Sequence, residues 1–576
     1  MPRANEEVEE LLSEWAELLQ VSGVEMYRVR AYEKAARAIG GYSTDIKALS
    51  EREILQIPSV GKGMAARVRE YLETGTMREL EDLREMVPAG MRELMRVPGL
   101  GPKKAIVVYQ ELGVSSVEEL AEAIKNERLR GIKGLGPKTE ANLARAIENL
   151  RKHGERILID SALDTAEGVI RSLREGLDME KIAFAGSLRR MRDSIGDVDI
   201  LVASGDAAPV MESFTTMPRV SQVLAKGDTK SSVLTRKGLQ VDLRVVPEES
   251  WGAALIYFTG SKAHNIKIRE IAIKKGMKLS EWGLFEAETG KIIAAESEEI
   301  VYDALGLPWI PPALREDRGE IAAALADELP PVVTESDIQG DLHSHTNMTD
   351  GLASLEEMVA AASARGYAYY AITDHAEDLS MTGASREKMI DQRERIATLQ
   401  KKYPKLTLLH GSELNIGKDG GVDYDPEFLA GFDILVASVH SYFRLSREET
   451  TKRVIAAMEN PFVNVIGHPS GRLIGKREPI DFDFAAVCDA AVRTGTALEV
   501  NCFPDRLDLR DEHVRWAIER GVTLSIDTDS HTPKDLLNLR FGVATAQRGW
   551  ATPDDVLNTR SVKDVKEFVA RKRAQT

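Results

Sequence analysis

Asp197-Val198-Asp199 places two carboxylates two residues apart, ten residues after Gly186-Ser187, and Asp242 follows in Gln240-Val-Asp-Leu-Arg244. In a strand, positions i and i+2 leave the same face, so Asp197 and Asp199 are able to hold a pair of cations, with Asp242 on a neighbouring strand as the third carboxylate. Two divalent ions about 3.5–4 Å apart activate an attacking hydroxyl and stabilise a leaving pyrophosphate in an in-line phosphoryl transfer. An isolated Asp-x-Asp is common on solvated loops. Here apolar runs flank it: Lys181-Ile-Ala-Phe-Ala185 leads into the Gly-Ser turn and Ile200-Leu-Val-Ala203 continues from Asp199, which predicts two buried strands. The amides of Gly186-Ser187 then face a phosphate, with Arg189 and Arg190 close behind.

A second cluster lies downstream. Eight of the ten histidines follow residue 340, and six of these have metal-ligand character: His343, His345, His375, His440, His468 and His531. Nearly all of them end or follow a predicted strand, and Asp350, Glu413 and Asp529 join them. A lone histidine at a strand end is more often a satisfied core residue. Nine imidazoles and carboxylates collected on one rim are different, because burying them together without a cation costs too much. Arg472 and Arg506, on Gly- and Pro-containing loops, are candidate phosphate grips, with plain surface arginines as the alternative. His410 and His513 fit no ligand position.

The chain of 576 residues is too long for one core and suggests three to five domains. Residues 1–150 have helical periodicity, as in Val8, Leu11, Leu12, Trp15, Leu18 and Leu19. Three short segments recur within them: Ile57-Pro-Ser-Val-Gly61-Lys62-Gly63, Val97-Pro-Gly99-Leu-Gly101-Pro-Lys103 and Ile132-Lys-Gly134-Leu-Gly136-Pro-Lys138. Each has an apolar residue, a glycine turn and an amphipathic helix, and resembles the helix-hairpin-helix motif. In that motif glycines let the backbone approach a DNA phosphate, which helix N-terminal amides bind without reading sequence. Residues 150–315 read as mixed α/β. Beyond residue 337, segments such as Tyr370–Asp374, Phe432–Ala437, Val463–Gly467, Ala497–Val500 and Thr523–Asp527 alternate with helices, predicting a barrel with its site at the strand C-termini.

A net charge of −16 argues mildly against coating nucleic acid through bulk electrostatics. It does not exclude phosphate binding by helix-terminal amides. No apolar run approaches the roughly 20 residues that cross a bilayer, and the acidic start Asn5–Glu10 is unlike a signal peptide, so a soluble cytoplasmic protein is expected. Cys488 and Cys502 sit in apolar stretches and read as buried free thiols.

With these motifs in order, the first 315 residues resemble a DNA polymerase of family X, the polymerase beta family. Gly186-Ser-Leu-Arg-Arg190, Gly196-Asp-Val-Asp199, Lys226-Gly-Asp-Thr-Lys230, Val241-Asp-Leu-Arg244 and Tyr257-Phe-Thr-Gly-Ser261 carry the resemblance. It implies that Asp197 and Asp199 ligate both Mg²⁺ or Mn²⁺ ions, and that Asp242 ligates the catalytic one and orients the primer 3′-hydroxyl. It further implies that Gly186, Ser187 and Arg190 hold the triphosphate, and that Tyr257, Phe258 and Gly260 line the sugar pocket. Asn265 and Arg269 face the nascent pair and template, and Lys230 faces DNA. Where the family's lyase members carry a Schiff-base lysine, this chain has Arg67, which stays protonated, so lyase chemistry by that route is not expected. Lys34 and Lys62 remain nearby as candidate 5′-phosphate ligands.

The C-terminal half resembles the polymerase and histidinol phosphatase (PHP) domain, with all nine family ligand positions filled. This implies a trinuclear centre of Mn²⁺, Zn²⁺ or Fe ions that hydrolyses a phosphoester.

The expected architecture is multidomain α+β and α/β. It comprises a helical domain with the first hairpin (1–82), a fingers-like helical DNA-binding domain (83–152), a nucleotidyltransferase palm (153–248), a thumb (249–315), a linker (316–336) and a distorted (β/α)7-type barrel (337–576). The expected function is gap-filling repair synthesis by a monomer on gapped or primer-template DNA with dNTPs. A 3′→5′ exonuclease is expected in the second half, with 3′-phosphatase and abasic-site endonuclease as further activities. Two rivals are a template-independent nucleotidyltransferase with a PHP phosphatase and a DNA-binding scaffold with an inactive PHP domain. The first has no use for three hairpins or for Asn265 and Arg269; complete ligand sets in both halves speak against the second.

Overall fold

The computed structural model describes residues 4–574 except 22–25, 41–45, 58, 87–93, 95, 96, 98, 99, 101, 133, 134, 154, 155, 180, 380 and 381. It divides into two compact units, Met1–Glu155 and Arg156–Thr576.

The first unit is helical. Helix Ala4–Val21 buries Val8, Leu12, Trp15, Leu18 and Leu19, and Trp15 stacks on Tyr32 of helix Met26–Gly40 with ring centroids 5.1 Å apart. Each hairpin is pinned by its apolar residues: Ile57 and Val60, Val97 and Leu100, and Leu135 are buried. Gly61 caps helix Lys62–Thr74 with no side-chain hydrogen bond, and Gly136 precedes helix Pro137–His153. A Cβ built on Gly61 or Gly136 meets nothing within 4 Å, so both backbones face open space. Gly99, Gly101 and Gly134 lie outside the described residues, as do the side chains of Lys103 and Lys138. Arg67 donates to Glu79 and lies 5.0 Å over the Trp15 ring, so it packs as a paired cation.

In the second unit, β1 (Ile157–Leu158) pairs with β3 (Ser194–Ile195) beside a five-stranded sheet. That sheet is made of β2 (Ile182–Phe184), β4 (Asp197–Ala203), β5 (Val220–Lys226), β6 (Lys230–Thr235) and β7 (Gln240–Val246), in the order β2-β4-β7-β6-β5. β4 and β7 run parallel and the other neighbours antiparallel. The inward residues of β4, Val198, Ile200 and Val202, pack on helix Ile159–Gly176, while Asp197 and Asp199 take the opposite alternation. Helices Trp251–Thr259 and Lys262–Lys274 and the sheet of β8 (Met277–Ser280), β9 (Gly283–Glu286) and β10 (Ile292–Ala294) form the thumb.

The segment 316–336, expected as a linker, is packed rather than tethered. Glu320, Ala324 and Val333 are buried, and Ala324, Leu329 and Val332 join the thumb core.

The last body is a parallel barrel of seven consecutive strands: β11 (Gly340–Asp341), β12 (Tyr369–Ile372), β13 (Thr407–Asn415), β14 (Ile434–Ser438), β15 (Val465–Gly467), β16 (Ala497–Asn501) and β17 (Leu524–Asp527). A parallel bridge between Ser344 and Ser530 joins the extensions of the two outer strands. The barrel does not stand apart from the palm: Leu507 and Phe541, from the barrel, are buried in the palm's own hydrophobic cluster. No helix among the described residues is long and apolar enough to cross a membrane.

Phe541→Ala removes a ring that is 1% exposed from this shared cluster. A cost of about 3–5 kcal/mol is expected, read as a lower melting temperature; an unchanged melting curve would show that the ring does not carry the palm-to-barrel packing.

Candidate active sites and their relatives

The parallel register of β4 and β7 sets Asp199 directly opposite Asp242 and Asp197 opposite Gln240. The three carboxylates predicted from sequence therefore meet at one end of the sheet. Burial pushes the Asp199 carboxyl up to about 7, and the like charges of Asp197 and Asp242 add to the effect against the pull of Lys230 and Arg244. Burial also acts on Asp242, but hydrogen bonds from Lys230, Gln240 and Ser232 overcome it and hold this carboxyl below its usual value. Such an arrangement is relieved by a divalent cation, which replaces mutual repulsion with shared attraction.

Gly186 opens the short helix Gly186–Arg189 at φ +62°, and a Cβ there would lie 2.4 Å from Asp199 Oδ2. Glycine is thus required both by the left-handed backbone and by the close approach to a metal-ligand candidate. Ser187 follows in the same turn.

Arg190 donates from Nη1 to the Thr259 carbonyl at 2.5 Å and from Nε to Glu316 at 3.0 Å. Gly260 passes within van der Waals reach of that guanidinium, 3.3 Å from Nη1 for a built Cβ. Tyr257 and Phe258 meet edge-on with centroids 4.9 Å apart. Arg269 lies 4.9 Å over Tyr257 and Arg244 lies 4.7 Å over Phe258. Asn265 donates to the Tyr257 carbonyl at 2.7 Å. Lys230, expected on DNA, stands at the start of β6 opposite Arg244 of β7, and its ammonium lies 2.8 Å from Asp242 Oδ2.

Two residues that sequence reasoning passed over hold buried charge here, Glu298 between palm and thumb and His264 within the thumb and the segment that follows it. Glu298 accepts from Arg189 (2.7 and 2.9 Å) and from the fully buried Arg315 (2.7 and 3.1 Å). Burial raises the Glu298 carboxyl, but the two guanidinium groups pull it down to about 2. His264 is sealed between Glu320 (2.7 Å) and the Tyr302 hydroxyl (2.9 Å).

All nine residues predicted for the second site converge at the C-terminal end of the barrel strands. Among the described residues, three overlapping groups have ligand atoms within 4.8 Å of one another: His345, Asp350, His375 and His531; His343, His345 and Asp529; His375, Glu413 and His440. His468 joins through Glu413, its Nε2 being 3.0 Å from Oε1. Glu413 links the groups, with Oε1 3.2 Å from His440 Nε2 and Oε2 2.9 Å from His375 Nδ1.

His343 Nε2 and His345 Nε2 stand 3.2 Å apart, and His345 Nδ1 and Asp350 Oδ1 are buried without a hydrogen-bond partner. Nitrogen lone pairs and carboxylate oxygens so aimed fit divalent transition metals. His468 and Asp529 sit at φ +27° and +51°, a conformation that non-glycine residues hold only where surroundings enforce it.

Sequence reasoning missed the groups behind these ligands. Glu499, fully buried on β16, accepts from His343 Nδ1 at 2.6 Å and from the His468 amide at 2.5 Å, and Asn415 meets His440 Nδ1 at 2.7 Å. Such partners fix ring orientation and raise ligand basicity. A glutamate inside the apolar run Ala497-Leu-Glu-Val500 was the available signal.

Arg506 stands with Nε 3.7 Å from Asp529 and Nη1 buried without a hydrogen-bond partner. Arg472 differs. Its donors go to the Arg506 and Leu507 carbonyls (2.7 and 2.6 Å) and to Asp193 of the palm (3.2 Å), so it ties loops together across the junction. His410 stacks on Phe432 and His513 on Phe484, both away from the ligands.

With three carboxylates gathered on the palm sheet and nine imidazoles and carboxylates on the barrel rim, the molecule has the parts of a polymerase beta-type enzyme joined to a metal-dependent hydrolase. Residues 254–316 match the DNA polymerase beta thumb, 341–494 the PHP domain, and 3–77 and 91–149 two helix-hairpin-helix families. The chain is 39% identical over 565 residues to the DNA polymerase/3′-5′ exonuclease PolX of Bacillus subtilis (strain 168), covering 97% of this chain and 98% of that one. It is 29% identical over 341 residues to DNA polymerase lambda of Rattus norvegicus, covering 54% and 56% of the two chains. A probable phosphatase of Thermoanaerobacter sp. (strain X514) matches 244 residues at 29% identity, 40% of this chain and 95% of its own. The chain belongs to the PolX family, the family X DNA polymerases with a C-terminal PHP domain.

Two substitutions test the two sites. Gly186→Ala, which drives a methyl group onto Asp199 at a positive-φ position, is expected to remove nucleotide incorporation and to lower the melting temperature; retained incorporation would show that the close approach is not needed. Glu499→Gln keeps the shape but removes the charge behind His343, so affinity of the barrel for Mn²⁺, measured by chelator competition, is expected to fall by about 10-fold. Equal affinity would show that Glu499 does not support the ligand.

Proposed function

We propose that this protein fills short gaps in DNA by templated addition of dNTPs at a primer 3′ end, and that its PHP domain removes nucleotides from 3′ ends. What carries the reading is that one chain holds two complete ligand sets, a palm with Asp199 registered against Asp242 and a barrel rim with Glu413 shared among His343, His345, His375, His440 and His468.

At the palm, two Mg²⁺ or Mn²⁺ ions held by Asp197, Asp199 and Asp242 supply charge neutralisation for the attacking 3′-hydroxyl and the departing pyrophosphate. Gly186 and Ser187 present backbone amides to the triphosphate, and Arg190 adds a guanidinium whose planar donors match phosphate oxygens. Asp242 orients the primer hydroxyl. Tyr257 and Phe258 shape the sugar site, and Asn265 and Arg269 lie toward the nascent pair and template. The hairpin glycines hold duplex backbone on either side of the gap.

At the barrel rim, Mn²⁺, Zn²⁺ or Fe ions supply activated water and Lewis acidity for phosphodiester hydrolysis. Glu499 and Asn415 hold His343 and His440 in the orientations that ligation requires, and Arg506 faces the site to grip a phosphate. With Arg67 at the Schiff-base lysine position, that position offers no amine nucleophile for 5′-deoxyribose-phosphate lyase chemistry.

Asp197→Ala is expected to abolish dNTP incorporation on gapped DNA and to leave nucleolysis in place, while His343→Ala does the reverse. Synthesis unchanged by Asp197→Ala would mean the palm assignment is wrong, and nucleolysis unchanged by His343→Ala would do the same for the barrel.

A further inference from the structure

The junction of thumb, palm and barrel carries a charged chain that neither ligand set uses. Arg548, on barrel helix Leu539–Arg548, is 4% exposed. Its Nη1 donates to the Arg190 backbone carbonyl at 2.8 Å and to Glu316 Oε1 at 2.9 Å, and its Nη2 donates to Asp511 at 2.7 Å. That same Glu316 oxygen accepts from Arg190 Nε at 3.0 Å, and Arg192 Nη1 is 4.0 Å away. Arg318, next to Glu316, pairs with Asp511 at 3.0 Å. One barrel arginine therefore fixes both the backbone of Arg190 and the carboxylate that holds its side chain.

We propose that Arg548 of the PHP domain is a positioning residue for dNTP binding in the palm. This rests on the reading of Arg190 as a triphosphate ligand. A guanidinium can leave Glu316 for a phosphate only if the carboxylate it abandons stays paired, because a half-buried charge stripped of its partner is costly. Arg548 supplies that second partner. It also anchors the Arg190 carbonyl, so that the side chain swings from a fixed backbone. Without Arg548, Glu316 is left to Arg190 and to the more distant Arg192, and the triphosphate must compete with a tighter Arg190 ion pair. The barrel thereby influences nucleotide affinity at the palm through one shared carboxylate, with no contact to the nucleotide itself.

The test measures single-nucleotide incorporation on gapped DNA by the full-length enzyme. Arg548→Met is expected to raise the dNTP KM about tenfold with kcat changed less than twofold and with hydrolysis at the barrel rim unchanged. Adding Glu316→Gln to that variant is expected to return KM to within twofold of the parent, since the carboxylate that traps Arg190 is gone. A merely structural junction would not show this rescue. If Arg548→Met does not fold, Glu316→Gln alone decides: a KM lowered two- to threefold supports the proposal and an unchanged KM overturns it. Arg190→Ala is the control. A raised KM there with an unchanged KM in Arg548→Met overturns the inference alone, whereas an unchanged KM in Arg190→Ala overturns the reading on which it rests.

Discussion

Crowding carboxylates and imidazoles where water is scarce is unfavourable unless a cation offsets it, and both halves of this chain are arranged around that constraint. In the palm the repulsion is concentrated on Asp199, whose carboxyl burial and its two acidic neighbours push up to about 7. In the barrel it is spread over nine side chains linked through Glu413. The surrounding fold follows from holding these groups in place. Parallel strands β4 and β7 keep Asp199 opposite Asp242, and seven parallel strands aim their C-terminal ends at one rim.

Where no metal is called for, the molecule resolves buried charge by pairing instead. Glu298 meets two arginines, His264 is sealed by Glu320 and Tyr302, and Arg548 binds Glu316 and Asp511. The Glu298 and Arg548 pairs lie at the seams between palm, thumb and barrel, and the His264 group ties the thumb to the segment that follows it. Leu507 and Phe541 add apolar packing at the same seam, so the barrel is part of the palm's core rather than an appendage on a tether.

Much of this was legible in the residues. Period-2 spacing exposed the Asp197-Asp199 pair, and histidines at strand ends marked the rim, because both signals are local. The longest barrel strand, β13, was not read from the sequence although it carries Glu413. His410, Gly411, Ser412 and Glu413 interrupt its apolar run, yet all four are buried. Its polar groups face the metal site and the barrel wall, so hydropathy hides a strand that tertiary structure makes obvious. Pairings over long separations were equally invisible: Arg548 to Arg190 spans 358 residues and Arg472 to Asp193 spans 279. A loop arginine offers the same sequence signal whether it grips phosphate or ties two domains, which is why Arg472, named beside Arg506 as a candidate grip, could not be told from a tie between loops.

The central claim is that one chain both makes and breaks the same phosphodiester bond at a DNA 3′ end. Its most direct measurement is a single time course of a 5′-labelled primer on gapped duplex with Mn²⁺, begun without dNTPs and continued after they are added. The account predicts progressive shortening from the 3′ end followed by regrowth of the shortened primers across the gap. Primers that shorten but never regrow, or that extend yet are never shortened, would contradict it.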